Sequence, residues 1–272
     1  MISPELLFWY DLALKMALTA SVVVITSIVV ERSGPFIGAL IAALPTAAAA
    51  AYTILAIEHP PSFIAASAVG SVATGAAVSV FALTYALLAQ RHGLVLSLGV
   101  ALVVWLIAAA MLRSVAWTPL GAIVLNIAVF AITIPLSWRY RDSGPPKKFL
   151  RRVYDIPLRA LAAAVVVATV TTASYTIGSF ASGMFALFPI IFCSSIVILH
   201  PRVGGKATAS MVAHAQVAFL GLGLGFTAVH YLAEPLGSWW ALVIGFSISV
   251  AWSTALWLVR LGAMRRLLKA AS

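Results

Sequence analysis

The segment from Leu14 to Leu55 recurs without a gap 144 residues later: Leu14 and Lys15 align with Leu158 and Arg159, Gly34 with Gly178, Phe36 with Phe180, and Pro45 with Pro189. After an insertion of three residues the match resumes as "LVVWLIAAAMLR" against "SVAWSTALWLVR", which puts Trp105 on Trp252 and Arg113 on Arg260 at a spacing of 147. The chain reads as an internal duplication in which each copy holds about four hydrophobic spans. If one further span separates the copies, the second enters the bilayer upside down, the construction on which many secondary transporters alternate access to a central site. The expected fold is an all-α polytopic membrane protein of about nine helices, two inverted four-helix repeats joined by a linking helix.

Composition points the same way. With 63% hydrophobic and 9% charged residues, the chain has too little polar surface to coat a soluble globule of 28.6 kDa. The net charge of +10 would suggest nucleic acid in a soluble protein. Here the basic residues sit between spans and at the C-terminus, where topology explains them, and neither a DNA-binding motif nor an aromatic-basic groove is visible. No nucleic-acid partner is expected. The single cysteine, Cys193, excludes an intramolecular disulfide and a zinc cluster, so neither metal nor cofactor is expected. The N-terminus "MISPELLFWYDLALK" lacks a basic n-region and a cleavage pattern, so its first span is expected to stay in the mature protein.

A crossing of about 30 Å takes about 20 apolar residues. Nine stretches qualify: Leu6 to Val30, Gly34 to Ile57, Ser62 to Ala89, Leu94 to Leu112, Thr118 to Trp138, Ile156 to Ser174, Gly178 to His200, Lys206 to Ala233, and Ser238 to Arg260. They divide the chain into a first repeat over 1–113, a linking span with a basic loop over 114–155, and a second repeat over 156–272. Placing the loop "SWRYRDSGPPKKFLRRVYD" inside puts fifteen of the seventeen basic residues inside and leaves only Lys15 and Arg113 outside. The positive-inside rule then sets an outer N-terminus and an inner C-terminus. Trp9, Tyr10, Trp117, Trp239 and Trp240 mark the outer interface, and Trp138, Tyr140 and Tyr154 the inner one.

Pro45 and Pro189 hold the same place in spans two and seven, inside "GALIAALPTAAAAA" and "GMFALFPIIFCSS". Proline there removes a helical hydrogen bond and frees a carbonyl, which in hydrocarbon must be met by protein or by a water-filled cavity. Paired mid-span prolines in an inverted repeat therefore point to broken helices around a midplane site; the competing reading is a kink that serves packing alone. Thr46, Cys193, Ser194 and Ser195 follow the prolines and are candidate polar contacts, although hydroxyls also satisfy their own helix. His214 is the ionisable side chain set well inside a span, with Ser210 one turn earlier on the same face. Its alternative is a neutral histidine bonded to a neighbouring helix. The seven acidic residues fall near span ends or in loops, which argues against an antiporter of the paired-aspartate kind and against an exporter of organic cations. A neutral or anionic solute, or a lipid, fits better, since half-helix N-termini can hold an anion without a buried lysine.

Ser67, Ser71, Gly75 and Ser79 recur at every fourth position of span three, a small-residue stripe suited to close helix approach and, as an alternative, to lining a polar path or to homo-oligomer contact. The "GLGLGF" run from Gly221 to Phe226 lies inside a span and is not a phosphate loop. With no HExxH, no GxSxG and no aspartate-rich motif, an enzyme is not expected.

The repeat units "KMALTASVVVITSIVVERSGPFIGALIAALPT" and "RALAAAVVVATVTTASYTIGSFASGMFALFPI" resemble the GlpM-like family of small bacterial inner-membrane proteins. Lys15 and Arg159 match that family's basic residue opening the first span, and Gly183, Leu187, Phe188 and Pro189 match its Gly-x-x-x-Leu-Phe-Pro stretch, with Leu44 replacing the phenylalanine in the first copy. The resemblance covers both four-span copies and leaves span five and the central loop unmatched. It implies a bacterial inner membrane and a fused form of a unit that would otherwise pair antiparallel; it implies no particular substrate. The expected function is a permease for a small neutral or anionic solute. The alternatives are a flippase or exporter of a lipid or other amphipathic molecule, and a non-transporting membrane subunit.

Overall fold

The computed structural model describes residues 46–141 and 155–271, together with scattered positions between 10 and 25, and the regular elements among them are helical. In chain order these are α1 (Thr46–Glu58), α2 (Pro61–Leu88), α3 (Leu94–Arg113), α4 (Pro119–Trp138), α5 (Asp155–Ile177), α6 (Ser179–Ala186), α7 (Ile190–Val203), α8 (Gly205–Leu236) and α9 (Ser238–Ala271). Seven helices among the described residues are long and apolar enough to cross a membrane, with Ser179–Val203 taken as one crossing, so the chain is a helical multi-pass membrane protein. Most of the first expected span lies outside the described residues. Of the second, the 13 residues of α1 are described.

Local chemistry sets where the helices start. Pro61 and Pro119 occupy first-turn positions, where the missing N–H is no loss, and the Thr118 hydroxyl accepts the Gly121 N–H at 3.1 Å as an N-cap for α4. In the second half three glycines with left-handed backbones make the joints: Gly178 (φ 82°) between α5 and α6, Gly204 (φ 90°) between α7 and α8, and Gly237 (φ 81°) between α8 and α9. A side chain at any of these would be strained.

The centre of the bundle is α2, of which 67% of the best apolar window is buried, against 22% for α3 and 22% for α9. It packs against α3, α4, α6 and α8. Outward faces of α3 and α4 expose Val103, Leu106, Ile107, Val124, Ile127 and Ile132, the apolar surface that lipid requires. The stripe on α2 faces the chain's own helices, with Ser67, Ser71 and Ser79 buried. A Cβ on Gly70 would strike the Phe180 carbonyl of α6, one on Gly183 would strike the Ser67 backbone, and one on Gly75 would meet Asn126 Nδ2 of α4 at 2.5 Å. Close packing is the leading reading of this stripe from the sequence, and small residues here let the backbones of α2 and α6 approach and the Asn126 side chain of α4 reach α2.

α2 and α8 run antiparallel along each other. Ala65 meets His230, whose Nδ1 lies 2.9 Å from the Ala65 carbonyl; Ser79 Oγ meets Gln216 Oε1 at 3.3 Å; and Ala89 meets Gly205 by backbone. α4 lies parallel to α2 and joins the same seam. Asn126 Nδ2 donates to the Val72 carbonyl at 2.6 Å, and seven residues later Thr133 Oγ1 lies 2.5 Å from Ser79 Oγ.

Candidate functional site

The helix that contains Pro189 is broken. α6 ends at Ala186, Leu187 leaves the helix with φ −98° and ψ 17°, and Pro189 stands at φ −76° and ψ 47° before α7 resumes at Ile190. Proline has no N–H to give to the Phe185 carbonyl four residues back, which takes the Phe188 N–H at 3.0 Å instead. The Leu187 N–H bonds back to Met184 and Phe185, so the Gly183 carbonyl loses the partner a continuous helix would give it. Ser71 of α2 replaces that partner: its hydroxyl donates to the Gly183 carbonyl at 2.8 Å. Because the only Ser71 hydroxyl proton is committed there, the Tyr52 hydroxyl of α1, 2.7 Å from Ser71 Oγ, must be the donor between them. The relay from Tyr52 to Ser71 to Gly183 is buried and ties α1 and α2 to the break.

At this break lies a crevice of about 50 Å³, room for a few waters or a short hydrocarbon group. Its walls are Leu187, Phe188 and Pro189 from the break, Ala47 and Ala48 from α1, and residues of α2, α6, α7 and α8 that include Val78, Phe192 and Phe219. Among the described residues that line it, none has a polar side chain. Trp105 of α3 closes the neighbouring side, edge-on to Phe188 with centroids 4.9 Å apart.

Of the residues singled out in the sequence, Pro189 lines the crevice. Pro45 lies outside the described residues. Thr46 is the first residue of α1 and directly precedes the lining pair Ala47 and Ala48, and nothing is described of its side chain. Cys193 is half-buried on α7, its N–H donating to the Pro189 carbonyl at 2.9 Å, and Ser194 gives its hydroxyl to the Ile191 carbonyl of its own helix. Ser210 and His214 belong elsewhere. The Ser210 hydroxyl donates to the Arg141 carbonyl beyond α4, and His214 Nδ1 lies 2.8 Å from the Ser210 carbonyl of its own helix. Neither lines the crevice.

Residues that periodicity left unmarked do most of the fastening. Tyr52 follows a run of alanines from Ala47 to Ala51, and Asn126 and Gln216 are single amide side chains in apolar spans. A buried polar residue in a span is itself the available signal, because it needs a partner on another helix. At the two ends of the bundle, histidines make similar ties. Ser174 gives its hydroxyl to the Thr171 carbonyl at 2.7 Å, so His59 Nε2 is the donor in its 2.8 Å bond to Ser174, and the ring stacks on Phe63 at 3.8 Å. Burial holds the His59 pKa below its ordinary value, opposed in part by the Glu58 carboxylate. At the other end Tyr85 Oη meets His200 Nδ1 at 2.8 Å.

No family model, no curated protein and no solved structure matches the chain.

Proposed function

We propose that this chain is a permease of the bacterial inner membrane, built of two inverted halves, that moves a small neutral or amphipathic molecule past the crevice at the Leu187–Pro189 break. The observation that carries the reading is the meeting of the two proline-marked segments. Leu187, Phe188 and Pro189 of the second copy face Ala47 and Ala48, which follow the matching Pro45 of the first. Broken helices whose counterparts converge at the middle of a duplicated membrane protein are where transporters of this construction hold substrate.

Inversion is supported by direction. α2 and α8 begin at Pro61 and Gly205, 144 residues apart like the rest of the duplicated segment, yet they lie antiparallel. Two copies of one unit with the same orientation would place these helices parallel. Helix joints at alternate ends, with fifteen of the seventeen basic residues gathered on one side, support an outer N-terminus and an inner C-terminus. The GlpM-like resemblance of each copy agrees with an antiparallel pair fused into one chain.

The wall chemistry narrows the substrate. An anion would find no charged or polar side chain among the described lining residues, whereas an acyl, isoprenoid or other apolar group replaces lipid contacts there at little cost. The amphipathic reading, with the polar end held elsewhere, is therefore favoured over a free inorganic anion. The test is transport in vesicles. Purified protein reconstituted with headgroup-labelled fluorescent phospholipid is challenged with an impermeant quencher. Quenching beyond the outer leaflet's half, abolished by Ala47→Trp, is expected for a lipid-like cargo. A panel of short-chain amphipathic dyes covers smaller ones. Absence of protein-dependent movement of every probe would remove the reading in favour of a non-transporting subunit.

A further inference from the structure

We propose that Arg141, just past the end of α4, binds a phosphate oxyanion, presented by a lipid headgroup or as free phosphate. The inference rests on the membrane placement of α4 and not on the permease reading. Arg141 Cζ lies 4.1 Å from the centre of the Trp138 ring, which holds the guanidinium by cation–π attraction. Its main chain is pinned to α8, where the Ser210 hydroxyl donates to the Arg141 carbonyl. Yet Nε and Nη2 are both buried and both without a hydrogen-bond acceptor among the described residues. These two N–H groups leave the planar guanidinium from one edge. That edge is the fork that grips two oxygens of a phosphate or carboxylate in parallel.

A side chain that cannot shed its charge has no inexpensive way to leave two such donors dry. Burial lowers the Arg141 pKa, from a value so high that the group stays a cation at neutral pH. The height in the membrane selects phosphate over other oxyanions. Trp138 is largely exposed at the end of an apolar span, the level of the aromatic girdle, where lipid phosphates lie. Lys147, Lys148, Arg151 and Arg152 follow in the sequence and raise the local concentration of anions. Both nitrogens are covered in this structure, so entry of the anion needs a local movement around the guanidinium.

The test measures retention of phosphatidic acid by the full-length protein in detergent, using native mass spectrometry, with diacylglycerol as the phosphate-free control. Wild type is expected to bind phosphatidic acid at least about tenfold more tightly than Arg141→Lys or Arg141→Gln, because lysine keeps charge but loses the fork. Arg139→Gln removes an exposed charge set against Tyr140 and should change binding by less than about twofold. Competition by millimolar inorganic phosphate would identify a free anion as a sufficient ligand, and its failure to compete would assign the site to the lipid headgroup. Equal binding by wild type and Arg141→Lys, or equal retention of diacylglycerol, would overturn the proposal. Size-exclusion profiles of each variant check folding, and neither outcome bears on whether the crevice transports.

Discussion

Ser71 compensates the break, since its one buried hydroxyl serves two partners, the Gly183 carbonyl and the Tyr52 hydroxyl. Ser71→Ala leaves the Gly183 carbonyl and the Tyr52 hydroxyl buried without each other's relay, and is expected to cost about 1–3 kcal/mol. Tyr52→Phe removes only the outer donor and leaves the Ser71 bond to Gly183, so a loss of about 1 kcal/mol or less is expected. Thermal unfolding of the two variants in one detergent checks the order. His59 gives a second residue-scale expectation. Its folded pKa lies below the unfolded value of 6.5, so the neutral form is the one the fold favours. Stability from this site is therefore present above pH 6.5 and lost as pH falls through the lower folded pKa. The midpoint temperature of wild type should fall on acidification from pH 6.5 through that range, and His59→Gln should flatten the dependence. An unchanged slope in the variant would show that His59 does not contribute.

At the scale of elements, close approach is decided by glycines, and the structure separates those that are needed from those that are not. Gly183→Ala drives a methyl group into the Ser67 backbone and must push α6 off α2. Gly99→Ala in α3 meets nothing within 4 Å and should be neutral or stabilise by up to about 1 kcal/mol through helix propensity. Gly204→Ala has open space but a φ of 90°, so a cost of about 1–2 kcal/mol is expected from the backbone alone. Unfolding midpoints of the three variants should therefore rank Gly99→Ala highest and Gly183→Ala lowest.

Elements were also the most legible level of the sequence. The expected spans Ser62 to Ala89 and Leu94 to Leu112 correspond to α2 and α3, shifted by one residue at most, because apolar length is a local property. The break after Ala186 was legible through Pro189, whose effect on a helix is also local. Partners across helices were not. Nothing near Ser71 in sequence announces that Gly183 needs a donor, and nothing near His214 reveals that its Nδ1 faces its own helix while Ser210 turns to Arg141. These pairings depend on how distant helices cross, which periodicity does not encode.

For the whole molecule, the proposed function has two inverted copies meet at a crevice between their proline-marked segments. α2 lies antiparallel to α8, and α6 and α7 run the same way as α2: Gly183 lies by Ser67, and Phe192 by Phe81. Under the proposal one half would rock against the other around a fixed centre, and the crevice walls come from residues 47–78 and from residues 186–222. The hydrogen bonds His59 with Ser174 and Tyr85 with His200 join the two parts of the chain at the two ends of the bundle, and under the proposal they would have to part in turn as either side opens. The most direct test places a single cysteine at Ala47 or Ala186, both lining the crevice, in a Cys193→Ser background and applies a small impermeant maleimide to sealed vesicles from each face. The account predicts labelling of each position from both faces, slowed by a transported amphipath. Labelling from neither face, with full reaction after denaturation, would contradict it.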